Sequence, residues 1–388
     1  MSKRWGAARA DGSMQPIADA QPNRLEQLRR SGVSIWLDTL SRDMLDDGSF
    51  ERFEQELAIT GATSNPTIFA KAICGSGHYD KQLRALLDGG VTDPRELFLE
   101  LALEDVRRAA KLLLPVYEQT AGADGYVSFE CTPGVAYATA ATIDQARTLW
   151  RRLDASNVMI KVPATEPGIA AIEALTAAGV NVNITLLFDT DRYGDVIEAY
   201  LRGLEARFHS GQAISQIHSV ASFFVSRVDV KADALLPLDS PFRGRIGIEN
   251  ARHAYARYRE VFRGKRWRRL EANGAKPQRP LWASTATKDP AYSDVMYLEQ
   301  LPVLDTVLTV PEPTLHAFAE HGVPGRGFRP SGELDALTAV DLRVIARTLE
   351  REGVQAFQDS YRQLLDCIEK RVRGFQIDAG HVPAIHGT

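Results

Sequence analysis

Cysteine is scarce in this chain of 388 residues; there are three, Cys74, Cys131 and Cys367. An odd number at no metal-like spacing argues against a disulfide framework and for a reduced, cytoplasmic protein. Histidine is thin as well. The eight residues are scattered with no HxxH or HExxH pair, so no metal site is expected, and nothing calls for a cofactor. No apolar run approaches the ~18 residues of a membrane span, and residues 1–23 lack a signal peptide's apolar core. Neither sign of charge dominates. A formal net charge of −4 gives no overall pull toward nucleic acid or an anionic membrane. No internal repeat or low-complexity tract is present.

What remains is an ordinary globular composition, 44% hydrophobic and 25% charged, able to bury a large core. Eight short strand candidates separate helical stretches: residues 34–38, 61–66, 126–130, 157–163, 181–188, 217–224, 280–284 and 305–310. Helical periodicity is strongest over 98–118, where Leu101, Val106, Ala109, Leu112 and Leu113 share a side and Pro115 should bend the end. Alternation of this kind predicts an α/β fold, a (β/α)8 TIM barrel, with a helical insertion after strand 6 and C-terminal helices. The expected organisation is a tail over 1–24, disordered or docked. One barrel domain follows over 25–373, including the insertion 228–278, then a second tail over 374–388. The basic run Arg263 to Arg269 reads as a solvated helix face, since no binding motif accompanies it.

The fourth strand carries the most information. In Asn157-Val158-Met159-Ile160-Lys161-Val162-Pro163, alternation puts Val158, Ile160 and Val162 on one face and Met159 and Lys161 on the other. Proline cannot donate to a ladder, so the strand should stop near Val162 and leave Lys161 at its C-terminal end. Active sites of parallel α/β folds lie at that end. A strand-end lysine reaching back to solvent is the commoner arrangement. Other strands share the peculiarity: Trp36 and Asp38 fall on one face, Ser128 and Glu130 on another, and Asn181, Asn183 and Thr185 on a third, opposite Val182, Ile184 and Leu186. If these faces line the barrel, Asp38, Asn65, Glu130, Lys161, Asn183, Thr185 and Ser222 converge. Each alone has a plainer use: Asp38 as a helix N-cap, Glu130 as a rim charge, Asn65 as a turn residue, Asn183 as a satisfied core amide. Together, an inward polar layer costs stability unless something uses it.

The residue types suggest imine chemistry. A free lysine is neutral in roughly one molecule in a few thousand at pH 7; desolvation would release its amine to attack a ketone. Glu130 and Thr185 could hold a water for the proton transfers of imine formation, and Asp38 could take a hydroxyl proton as a C–C bond breaks. Arg227, just past strand six, and Lys288, past strand seven, sit where such barrels often bind phosphate. Either charge could also be a simple surface residue.

These residues lie in stretches that resemble transaldolase, in particular its longer bacterial form. The matching segments are Trp36-Leu37-Asp38, Thr63-Ser64-Asn65-Pro66, Val127-Ser128-Phe129-Glu130, Ile160 to Thr165, Val182 to Phe188, Ser222 to Arg227, Leu281 to Thr285 and Thr309 to Leu315. The resemblance implies a metal-free class I dihydroxyacetone transfer in the pentose phosphate pathway. Sedoheptulose 7-phosphate and glyceraldehyde 3-phosphate would give erythrose 4-phosphate and fructose 6-phosphate. It implies Lys161 as Schiff-base lysine, Asp38 as acid/base, and Glu130 with Thr185 as holders of the catalytic water. It further implies Asn65, Asn183 and Ser222 on substrate hydroxyls, Phe224 against the adduct, and Arg227 with Ser284 on phosphate. One departure stands out: the short family form has Ser-Phe-Arg where this chain has Ser284-Thr285-Ala286, leaving Lys288 to replace the second arginine. Alternatives are a fructose-6-phosphate-type aldolase releasing free dihydroxyacetone, or a non-catalytic sugar-phosphate-binding barrel. Sugar phosphates are the expected partners of a monomer or homodimer, with no nucleic acid or membrane.

Overall fold

Short β-branched and aliphatic runs that end in polar residues or proline form eight parallel strands in a computed structural model, which describes residues 23–325, 327 and 335–378. They are β1 (Val33–Leu37), β2 (Gly61–Thr63), β3 (Val127–Glu130), β4 (Val158–Pro163), β5 (Val182–Leu187), β6 (Ser219–Phe224), β7 (Arg279–Ala283) and β8 (Thr306–Val310). Each pairs with the next, and β1 closes on β8 with Ser34 beside Val307. The barrel is therefore closed, and helices follow its strands in the order a (β/α)8 fold requires. Of the tails expected over 1–24 and 374–388, residues 1–22 and 379–388 lie outside the described residues, and Arg24 already opens the helix Arg24–Arg30.

Two apolar clusters build the core. The larger packs the outward faces of the strands against the helices, and the smaller fills the barrel with Trp36, Met159, Val220, Leu281 and Val307. Trp36 fits because its strand partner is Gly61; a Cβ there would lie 2.5 Å from the indole. Its indole N–H donates to Asp124 at 2.7 Å, closing the barrel floor with a satisfied polar contact. A buried ion pair, Arg42 with Asp105, clamps the first helices to the Pro94–Gln119 helix, and the Tyr79 hydroxyl donates to the second Asp105 oxygen at 2.9 Å. Asp105→Ala is expected to cost about 3–5 kcal/mol, because it strands a buried guanidinium. Urea unfolding of wild type and variant measures it.

Several expectations need correction. Val182, Ile184 and Leu186 do not share one face. The β5–β6 register shifts between Ile184 and Leu187, and Leu186 adopts φ +55°, joining the cluster inside the barrel. Alternation fails at a bulge because one residue is added to one strand. Residues 374–378 belong to the one long C-terminal helix, Leu342–Asp378, rather than to a tail. Cys74 and Cys367 form a disulfide with Cα atoms 6.1 Å apart, leaving Cys131 free and buried. Their separation of 293 residues hid the packing of the Pro66–Gly75 helix against the C-terminal helix. In the basic run, Arg266 bridges Glu198 and Glu205 while Trp267 is buried. The insertion after β6 comprises helices Ser226–Asp233, Ile246–Val261 and Lys265–Glu271. Asp229 and Asp233 tie the first of these to the backbone of Gly247 and Gly244, which steadies the turn that carries Arg227.

Candidate active site

The C-terminal ends of the strands surround a cavity of about 160 Å³ lined by Asp38, Thr63, Asn65, Lys161, Thr185, Ser222, Phe224, Arg227, Ser284 and Lys288, among others. Lys161 is brought there by the β4 pleat, next to Glu130 on β3 and Asn183 on β5 in the ladder register. Its ammonium lies 3.3 Å from Glu130 Oε2 and donates to the Ser64 carbonyl at 3.1 Å. Lys161 is 6% exposed and Glu130 9%. Burial pushes the Glu130 carboxyl above the usual carboxylate range against the pull of Lys161, and nearby Asp38 adds to the rise. Glu130 Oε2 is buried with no contact partner beyond Lys161, and Thr185 Oγ1 is buried without a hydrogen-bond partner, among the described residues. Two such acceptors beside an amine suit a bridging water or a substrate hydroxyl.

Asp38, just beyond β1, accepts a hydrogen bond from Thr63 Oγ1 at 2.8 Å, and that hydroxyl lies 2.7 Å from Thr309 Oγ1. The two threonines orient the carboxylate, a role the sequence reading did not assign. Alternation places both on inward faces, which was the available signal. Arg227 and Lys288 line the same cavity, neither with an ion-pair partner among the described residues. Partial desolvation lowers the pKa of each; Asp38 and Glu130 counteract it at Arg227, and at Lys288 Arg227 adds to it while Asp38 opposes it. The Arg227 guanidinium sits 5.2 Å from the centre of the Phe224 ring. Ser284 turns through φ +58° and its hydroxyl lies 2.7 Å from that of Ser226.

Two expected residues, Asn183 and Glu130, do not line this cavity. Asn183 lies deeper than the cavity wall and is fully buried. Its amide donates to Ser128 Oγ at 2.9 Å and accepts from Ser222 Oγ at 2.6 Å, so both ends are spent on neighbours. Asn65 reaches the cavity, but its carbonyl oxygen accepts from Ile68 N at 3.0 Å as the N-cap of Pro66–Gly75. A larger cleft of about 740 Å³ opens beside the barrel between Pro94–Gln119, Thr139–Leu153 and the C-terminal helix. Glu130 lines this cleft, but Lys161 does not, and its Arg152 is already paired with Glu96 and Glu100. The chemistry therefore belongs to the smaller cavity. No His, Cys, Asp and Glu grouping suited to a metal ion occurs among the described residues.

The family model for transaldolase/fructose-6-phosphate aldolase matches residues 35–368. A transaldolase of Parafrankia sp. (strain EAN1pec) is 45% identical over 361 residues, covering 90% of this chain and 98% of that protein. A transaldolase of Frankia alni is 45% identical with the same coverage, and one of Saccharopolyspora erythraea is 44% identical.

Proposed function

The chain belongs to the transaldolase/fructose-6-phosphate aldolase family and is an enzyme of the transaldolase kind. We propose that it moves a dihydroxyacetone unit from sedoheptulose 7-phosphate to glyceraldehyde 3-phosphate, giving erythrose 4-phosphate and fructose 6-phosphate, in the cytoplasmic pentose phosphate pathway. The observation that carries this reading is the buried Lys161–Glu130 contact at the mouth of the barrel, 3.3 Å across, with Lys161 and Asp38 on the wall of one cavity.

In the proposed sequence, the Lys161 amine attacks the substrate ketone carbon to give a carbinolamine. Glu130, through a water held with Thr185, takes a proton from the attacking nitrogen as its carboxylate and passes it to the departing hydroxyl, and loss of water leaves a protonated imine. Asp38 then takes the proton of the hydroxyl on the far carbon of the bond to be broken. The bonding pair moves into the imine, erythrose 4-phosphate departs as an aldehyde, and an enamine stays on Lys161. Addition of the enamine carbon to glyceraldehyde 3-phosphate, with Asp38 returning the proton, reverses these steps. Ser222 and Asn65 are proposed to bind substrate hydroxyls, with Asn183 positioning Ser222 from below. Phe224 is proposed to lie against the adduct, and Arg227, Ser284 and Lys288 to hold the phosphate.

Incubation with sedoheptulose 7-phosphate and glyceraldehyde 3-phosphate should yield the two products in equal amounts. Stoichiometric free dihydroxyacetone without an acceptor would sink the transferase reading in favour of an aldolase. Arg227→Ala is expected to raise KM for fructose 6-phosphate about 10- to 100-fold, the worth of a charge-assisted hydrogen bond. The same variant should leave reaction with unphosphorylated fructose nearly unchanged; steady-state kinetics on both sugars checks it. Lys288, at the exposed rim, should contribute only a few-fold.

A further inference from the structure

The βα loops do not enclose the cavity alone. One of its walls comes from Phe357, on the helix Leu342–Asp378 that runs across the barrel mouth. The ring is 5% exposed and packs in one cluster with Leu186, Phe188 and Phe224.

Close approach of this helix has identifiable causes. Gly353, one turn before Phe357, faces Leu186; a Cβ at Gly353 would lie 2.8 Å from Leu186 Cδ2 and 3.7 Å from the Arg227 guanidinium. Leu186 points there because of the β5 bulge beside Thr185. One turn after Phe357, Ser360 Oγ lies 2.8 Å from Thr67 Oγ1 in the helix that Asn65 caps. Further along, the Cys74–Cys367 bond fastens the same two helices. Leu364 and Ile368 continue the buried stripe at helical spacing. The anchors on both sides of Phe357 thus hold an aromatic ring over a cavity whose barrel-derived walls are largely polar.

We propose that Phe357 is a specificity-determining residue that keeps water from the three-carbon unit on Lys161, so that transfer prevails over release. This rests on the imine reading given above. The enamine has two fates. Its nucleophilic carbon can add to an acceptor aldehyde, forming a C–C bond. Alternatively that carbon takes a proton, water adds to the resulting imine carbon, and the C–N bond breaks, returning the lysine amine and free dihydroxyacetone. Forming the C–C bond needs no water, whereas the second fate needs water at the three-carbon adduct itself, so an apolar ring over that adduct disfavours it.

The test measures free dihydroxyacetone against sugar phosphate transferred, with fructose 6-phosphate as donor and an aldose phosphate as acceptor. The ratio is normalised to the imine trapped on Lys161 by borohydride. Phe357→Ala is expected to raise this ratio about tenfold or more, and Phe357→Leu to raise it less in the same direction. Phe357→Leu keeps most of the volume and decides the matter by the same ratio if Phe357→Ala does not fold. A wild-type ratio in the folded Phe357 variants, with imine still trapped, overturns the role of Phe357. Absence of trapped imine in wild type overturns the imine reading itself, and this inference with it.

Discussion

Lys161→Ala is expected to abolish dihydroxyacetone transfer, with a loss in kcat on the order of 10⁵-fold or more, because no other group can form the covalent intermediate. Lys161→Arg should not rescue it: a guanidinium stays charged at any pH the protein tolerates and does not attack a ketone. The fold should survive the loss of the amine. Glu130 would lose its counter-charge, but its carboxyl is already lifted by burial and would take a proton rather than persist as a lone buried anion. A coupled assay of fructose 6-phosphate formation, with circular dichroism on the same samples, separates lost chemistry from lost structure. Activity within tenfold of wild type would remove Lys161 from the mechanism.

Glu130→Gln is the second large effect, expected to lower kcat by about 10²- to 10⁴-fold while leaving KM within a few-fold. The amide keeps the shape of the side chain but cannot cycle a proton. Its pH profile is the sharper readout. The carboxylate form of Glu130 accepts the proton, and burial raises its pKa above the ordinary value. Wild-type activity should therefore fall as pH drops through that raised pKa, at a higher pH than an ordinary carboxylate would impose. In Glu130→Gln this acid limb should vanish, leaving a low, flat profile. An unchanged limb would assign it to another group.

The barrel and the inward lysine were legible because both follow from alternation. A polar residue at an odd position in an apolar strand has one face available to it, and the pleat turns Lys161, Glu130 and Ser222 inward together. What alternation cannot show is a change of register. Leu186 was read outward, whereas the bulge at β5 swings it toward the mouth, where it meets Gly353. Nor does residue type reveal how a side chain spends its hydrogen bonds. Asn183 and Asn65 were both expected on substrate hydroxyls; the first is engaged at both ends and the second caps a helix. The plainer uses weighed for them, core amide and turn residue, describe much of what they do. Contacts across the length of the chain were the least visible. Phe357 and the Cys74–Cys367 pair lie on a helix whose periodicity is obvious, but nothing local says that it crosses the mouth of the barrel.

Fructose 6-phosphate and sodium borohydride, followed by peptide mass mapping, test the central claim most directly. Reduction should fix a dihydroxyacetone-derived group as a stable secondary amine on Lys161, with no comparable modification at Lys288 or any other lysine. Demonstrable binding of the sugar phosphate with Lys161 left unmodified would contradict the account.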